Sequence, residues 1–129
     1  MASAQAMRAS SLLLGGRKEE ALTAAQSEPD EGWKLGVLPI VLWELGRQTE
    51  SDAALSTLTD KYASGSAYEI AQIHAYRHET DLAFKWLDRA IRQHDYAVPW
   101  VKADPFLRNI NSDYRYRQLL SKLKLAPAS

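Results

Sequence analysis

Two stretches of this chain carry one spaced pattern, LGRQTESDAALSTL at positions 45–58 and YRHETDLAFKWLDRA at 76–90. In each, a helix is expected to end at a tight turn, after which compact and larger residues return at helical spacing: Ser51, Leu55 and Leu58, then Ala83, Leu87 and Ala90. A small residue where two helices cross, followed by larger ones a turn later, lets antiparallel helices approach and interlock. The pattern therefore predicts helical hairpins. A fainter copy lies in GGRKEEALTAAQSE, where Ala21 and Ala25 fill the same slots after Gly16. The copies recur at Ala21, Ser51 and Ala83, spacings of 30 and 32 residues, within the range that marks a stacked repeat.

Periodicity places helices at about 4–14, 18–25, 31–45, 50–62, 67–78, 81–93 and 113–123. Thr49 and Thr80 each precede an acidic residue and an apolar stripe, which suits a capping hydroxyl at a helix start. Gly46 and the Gly65 region punctuate the turns. Pro39 lies inside the apolar run 35–45, where a missing donor and a crowded Leu35 carbonyl predict a kink, with Gly36 free to absorb it. Between 98 and 111 the period breaks; Pro99 permits one short turn, and Asp104-Pro105 caps another with Phe106, Leu107 and Ile110 pointing inward. The last helix puts Tyr116, Leu119, Leu120 and Leu123 on one face, as a lid over the final repeat needs.

These residues carry a resemblance to the tetratricopeptide repeat family. It is strongest over 64–95, where Ile70, Ala71, Ala83, Leu87 and Ala90 occupy the family's positions, and clear over 32–63 through Leu35, Leu38, Gly46, Ser51, Leu55 and Leu58. The first unit, 2–31, departs from the pattern at Arg8. The segment WVKADPFLRNINSDYRYRQLLSKLKL is similar to the closing part of repeat arrays in large bacterial regulatory proteins. The resemblance implies an all-α, right-handed superhelical array of three antiparallel hairpins and a capping segment over 96–124, one domain spanning 1–124 with a frayed tail at 125–129.

Composition agrees with one modest core. At 129 residues and 46% apolar content, the chain is long enough for one domain and too short for two. Sixteen basic residues balance sixteen acidic ones, which argues against a general polyanion binder, although 108–129 holds five basic residues and only Asp113. Cysteine is absent, which suits a reducing cytoplasm. The longest apolar run, 35–43, falls far short of the roughly 20 residues that span a bilayer. The start, MASAQAMRASSLLLGG, has too little charge and too short an apolar stretch for a secretory signal. A soluble, cytoplasmic protein is expected.

Catalytic signals are thin. His74 and His78 stand four apart, which on a helix turns both imidazoles one way, but Ala75 follows the first where a zinc protease needs Glu, and no third ligand is evident. His94-Asp95 reads as a helix end. Asp81 with Lys85 and Asp88 with Arg92 read as surface pairs along one helix. The run Tyr114 to Arg117, with Arg108, Lys122 and Lys124, reads as the wet side of the capping helix rather than as a nucleic-acid patch. No nucleophile has a base beside it, so the expectation is a non-enzyme with no cofactor and no metal.

What the resemblance does imply is a concave face lined by the first helix of each hairpin. Its inward slots fall on Trp33, Ile40, Trp43 and Glu44 in the second unit and on Tyr68, Gln72 and Tyr76 in the third. Rigid aromatic anchors with a few polar groups suit a peptide or partner domain, possible partners including a domain of the parent polypeptide. Trp33 and Trp43 read equally well as packing between helices. The expected function is a protein-interaction or regulatory scaffold; the alternatives are a small-molecule sensor using the same groove and a structural end-piece of a larger regulator.

Overall fold

The computed structural model describes residues 4–93 and 98–123, with backbone alone at 98–100. Every regular element among them is helical: α1 (Ala4–Leu14), α2 (Lys18–Gln26), α3 (Glu31–Glu44), α4 (Gln48–Tyr76), α5 (Thr80–Arg92) and α6 (Tyr114–Lys122), with 3-10 helices at Val98–Ala103 and Pro105–Ile110. The chain is all-α, as its periodicity predicts. It divides into two compact units, Met1–Ala63 and Ser64–Ser129. His94 and Asp95, like the tail at 125–129, lie outside the described residues.

The repeat is realised as one turn built three times. Gly16, Gly46 and His78 adopt left-handed backbone, with φ of 81°, 78° and 62°. Their amides donate to the carbonyls of Leu13, Trp43 and Ala75 at 3.0, 3.0 and 3.1 Å, and the next amides, of Arg17, Arg47 and Glu79, reach Leu12, Leu42 and His74 at 2.9 Å each. This pair of bonds closes a helix C-terminus by satisfying carbonyls that have no partner further along. The carbonyls of Arg17, Arg47 and Glu79 then accept from the amides of Ala21, Ser51 and Ala83 at 2.9, 3.0 and 3.0 Å. One residue thus seals one helix and opens the next, which fixes the hairpin without a linker. Ala21, Ser51 and Ala83 are all 0% exposed, so each small residue sits where the helices cross.

The same geometry corrects several expectations. Thr49 and Thr80 lie within the first turns of α4 and α5, and the capping position before α5 is Glu79, which makes no side-chain cap bond. His78 is the turn residue, not part of a helix, so it shares no helix face with His74. The break expected in the Gly65 region falls at Ser66, where non-helical backbone at φ −127° and ψ 23° puts a kink between two helical stretches of α4. α3 runs as one helix through Pro39, and the proline is buried.

In the first unit α1 packs on α2, and α3 on both. Asp30 caps α3, accepting from the Trp33 amide at 3.0 Å. Glu31 lies beside Lys61 and Tyr62, while the Pro39 carbonyl accepts from Ser51 Oγ at 2.7 Å; pairing 31 with 62 and 39 with 51 means that α3 and the first stretch of α4 run antiparallel. The Tyr62 hydroxyl bond, together with the hydrogen bond and charge of Lys61, holds the Glu31 carboxyl below its ordinary range. Two bidentate pairs, Arg17 with Glu20 and Arg47 with Glu50, repeat on the surface just after the turns.

One residue breaks the repeat inside the core. Glu28 stands in the slot filled by Leu58 and Ala90, yet it is only 1% exposed. Its Oε1 accepts from the Ala6 amide at 3.0 Å and its Oε2 from the Asp30 amide at 3.1 Å. Ala6 belongs to the first turn of α1, where amides lack intrahelical partners and the helix end is positive. The carboxylate therefore ties the start of α1 to the entry of α3.

In the second unit the second stretch of α4 leads through the third turn into α5, and α6 follows the two 3-10 helices. Asp81 pairs with Arg115 at 2.9 Å and Asp88 with Lys122 at 3.5 Å. Both pairs join residues 34 apart, so α5 and α6 run parallel and in register. These acids meet α6 rather than Lys85 and Arg92 along their own helix, as helical spacing alone suggests. Asp113 caps α6 through the Arg115 amide, and the Arg115 guanidinium also lies 4.6 Å from the Phe84 ring centre. Tyr116, Leu119 and Leu120 are buried beneath this helix, as expected of a lid, with Leu123 half-buried.

Candidate functional site

The seven residues expected to line a binding face meet different fates. On α3, Trp33 is 41% exposed and Ile40 only 2%; Trp43 is half-buried and Glu44 exposed. Ile40 is thus part of the core, because the stripe that carries it also meets the neighbouring helices of the first unit. Trp33, near the start of α3, keeps most of an open flank.

On α4 the three residues of the second unit are covered by the chain itself. Tyr68 is 2% exposed, and its hydroxyl donates to Asp104 Oδ2 at 2.5 Å, beside Gln72 Nε2 at 2.6 Å. Asp104 Oδ1 meanwhile caps the second 3-10 helix through the Phe106 amide at 2.9 Å. The Tyr76 ring packs at 6.1 Å and 57° against Phe106, a tilted arrangement that aromatic quadrupoles favour. Asn109 Nδ2 donates to the carbonyls of Ala75 and Tyr76 at 3.2 Å each, satisfying the end of α4. Beneath these polar contacts Val101, Leu107 and Ile110 are at most 1% exposed.

Burial is the main reason that the Tyr68 phenol is pushed far above its ordinary range, with the Asp104 charge adding to it. Tyr68 therefore remains a proton-bearing donor. Tyr116, raised chiefly by burial, likewise donates to the Val101 carbonyl at 2.8 Å. These hydroxyls hold the 3-10 segment in place.

Sequence periodicity missed two components. The Asp-Pro cap was legible, but not that the second oxygen of Asp104 would anchor Tyr68 and Gln72, since a helical repeat pattern carries no information about an aperiodic segment. It also missed the outer flank of α1, where Met7 is 66% and Leu14 51% exposed; their spacing of seven places them on one side of the helix, and that was the available signal.

The third turn holds the remaining titratable cluster. His74, 8% exposed, has Nδ1 at 2.9 Å from Glu79 Oε1, and Arg77 Nε lies 3.2 Å from the same oxygen. This ties the end of α4 to the start of α5, where Arg17 and Arg47 stand in the other turns. Among the described residues no group of three or more His, Asp or Glu side chains could hold a metal ion, and no helix is long and apolar enough to cross a membrane. Comparison with protein-family patterns, curated proteins and solved structures gives no match.

Proposed function

We propose that this chain is a non-catalytic interaction module, a superhelical array of tetratricopeptide-like hairpins that holds a protein or peptide partner on the first helices of its first unit. One observation carries the reading. Among the described residues of Met1–Ala63, every large apolar side chain left exposed lies on α1 or α3: Met7, Leu14 and Trp33. The second helices of those hairpins present polar residues outward, including Glu19, Asp52, Ser56 and Asp60. Apolar exposure gathered on one class of helix favours a binding face over scattered surface hydrophobes. Absence of cysteine suits action in a reducing compartment.

The second unit supports a different role within the same module. Its equivalent face is closed by the chain's own 3-10 segment and lidded by α6, which favours an end-piece that terminates the array. The test is affinity isolation of the whole protein from cells that make it, followed by reconstitution with the purified candidate partner. A partner held by the native chain and by Ser56→Glu, but lost on Leu14→Glu and Trp33→Ala with unchanged melting temperature, is the expected result. If no polypeptide distinguishes these variants, the interaction reading is wrong.

A further inference from the structure

The outer flank of α5 carries a second feature. Leu82, Lys85, Arg89 and Arg92 fall within an arc of about 80° at the 100° per residue of an α-helix. Leu82 is 41% exposed, Lys85 and Arg92 are exposed, and Arg89 is half-buried. The acidic residues bordering this arc, Asp81 and Asp88, are engaged by Arg115 and Lys122 of α6. Lys85 and Arg92 have no ion-pair partner among the described residues. The flank is therefore a positive ridge whose bordering acids, among the described residues, are paired with α6.

Arg89 adds order to the charge. Its guanidinium lies 4.8 Å from the centre of the Trp86 ring, and Trp86 is itself only 9% exposed. Stacking on a fixed indole limits the rotamers of a long side chain, so less entropy is lost when a carboxylate binds it. The ridge joins one stacked cation, two exposed ones and an apolar end.

We infer that this ridge docks an acidic helical segment of another protein, with carboxylates opposite Lys85, Arg89 and Arg92 and an apolar side chain against Leu82. Helical spacing on both partners brings like-spaced charges into register, and Leu82 sets the direction of the incoming helix. A linear polyanion would use the cations without Leu82 and without register. The surface lies wholly in the second unit and is independent of the partner face on α1 and α3.

The test uses the full chain and a stapled helical peptide bearing one leucine and glutamates at i, i+4 and i+7, followed by amide chemical shifts and by titration at low and physiological salt. Shifts confined to 82–92, loss of affinity with added salt, and a drop of about tenfold or more for Lys85→Glu with Arg92→Glu are expected. Arg92→Gln gives a milder loss, and Arg117→Glu, Leu14→Glu and Trp33→Ala leave binding unchanged. Equal binding of the glutamine version of the peptide overturns the proposal. So does equal or tighter binding of heparin or anionic vesicles, or sedimentation showing that the ridge instead pairs two copies of this chain.

Discussion

The two units carry the same hairpin turn and diverge in what covers the first helix of the hairpin. In Met1–Ala63, α1 and α3 leave Met7, Leu14 and Trp33 in solvent; in Ser64–Ser129, the corresponding stretch of α4 has Tyr68 and Gln72 tied to Asp104 and Tyr76 packed on Phe106. An aromatic residue at a repeat slot is thus not a binding residue by virtue of the slot. What decides is whether an aperiodic segment of the same chain carries complementary groups. Here Asp104, Phe106 and Asn109 do, so Tyr68 becomes core while Gln72 and Tyr76 are half-buried.

The sharpest way to break this contrast is to truncate one anchor on each side. Leu107 is 1% exposed beneath the 3-10 cover, so Leu107→Ala should cost about 2–5 kcal/mol through lost burial and a residual cavity. Trp33→Ala should cost far less stability, since much of that ring is already in water. Chemical denaturation of both variants measures the difference. Comparable losses would mean that Trp33 is a packing residue and that the two faces are alike.

A second comparison lies within the core slot shared by Glu28, Leu58 and Ala90. Glu28→Ala strands the Ala6 and Asp30 amides, and leaving buried donors unpaired costs about 1–3 kcal/mol. Hydrogen exchange should then quicken at Ala6 and along α1 before it does so in α5. Glu28→Leu, which copies Leu58, should be no better, because it offers those amides no acceptor. If Glu28→Leu stabilises the chain, the slot is governed by apolar packing and the carboxylate is incidental.

Local and periodic features were legible in the sequence; features that depend on which surfaces meet were not. The turns at Gly16 and Gly46 and the buried Ala21, Ser51 and Ala83 follow from residue type and spacing, because they are satisfied within a few residues. At Pro39 α3 stays helical: the prolyl carbonyl accepts from Ser51 and the residue is buried, so tertiary contacts offset a local defect that residue type alone exposes. Near Gly65 the break was legible: glycine and serine lower helix propensity, and Ser66 leaves helical backbone so that two helical stretches meet at a kink. Asp81 and Asp88 were misassigned to their own helix, since sequence spacing cannot show that α6 brings Arg115 and Lys122 alongside. Of the residues expected on that face, Trp33 is left exposed, whereas the fate of Tyr68, Gln72 and Tyr76 depended on the unperiodic 3-10 segment.

Ser51 offers a smaller test of the link between α3 and α4. Ser51→Ala keeps the small volume found at Ala21 and Ala83 but removes the 2.7 Å bond to the Pro39 carbonyl. A loss of about 1 kcal/mol is expected from a single buried hydrogen bond. The double variant with Pro39→Ala should recover more than that, since an alanine there restores an amide for the Leu35 carbonyl. If Ser51→Ala is neutral, the bond to Pro39 contributes nothing net.

The smallest expected effect compares the three turns themselves. Gly16 and Gly46 have left-handed backbone, and a Cβ built at either meets nothing within 4 Å. Gly16→Ala and Gly46→Ala therefore isolate the backbone preference, which for an L-residue is worth about 1 kcal/mol. His78 already bears that penalty at φ 62°, so His78→Gly should shift stability the other way, by less than the glycine substitutions cost, because glycine also gives the unfolded chain more freedom. Thermal melts of the three variants decide it. A destabilised His78→Gly would show that the third turn draws on the imidazole of His78, and that the three turns, alike in backbone, are not equivalent in what holds them.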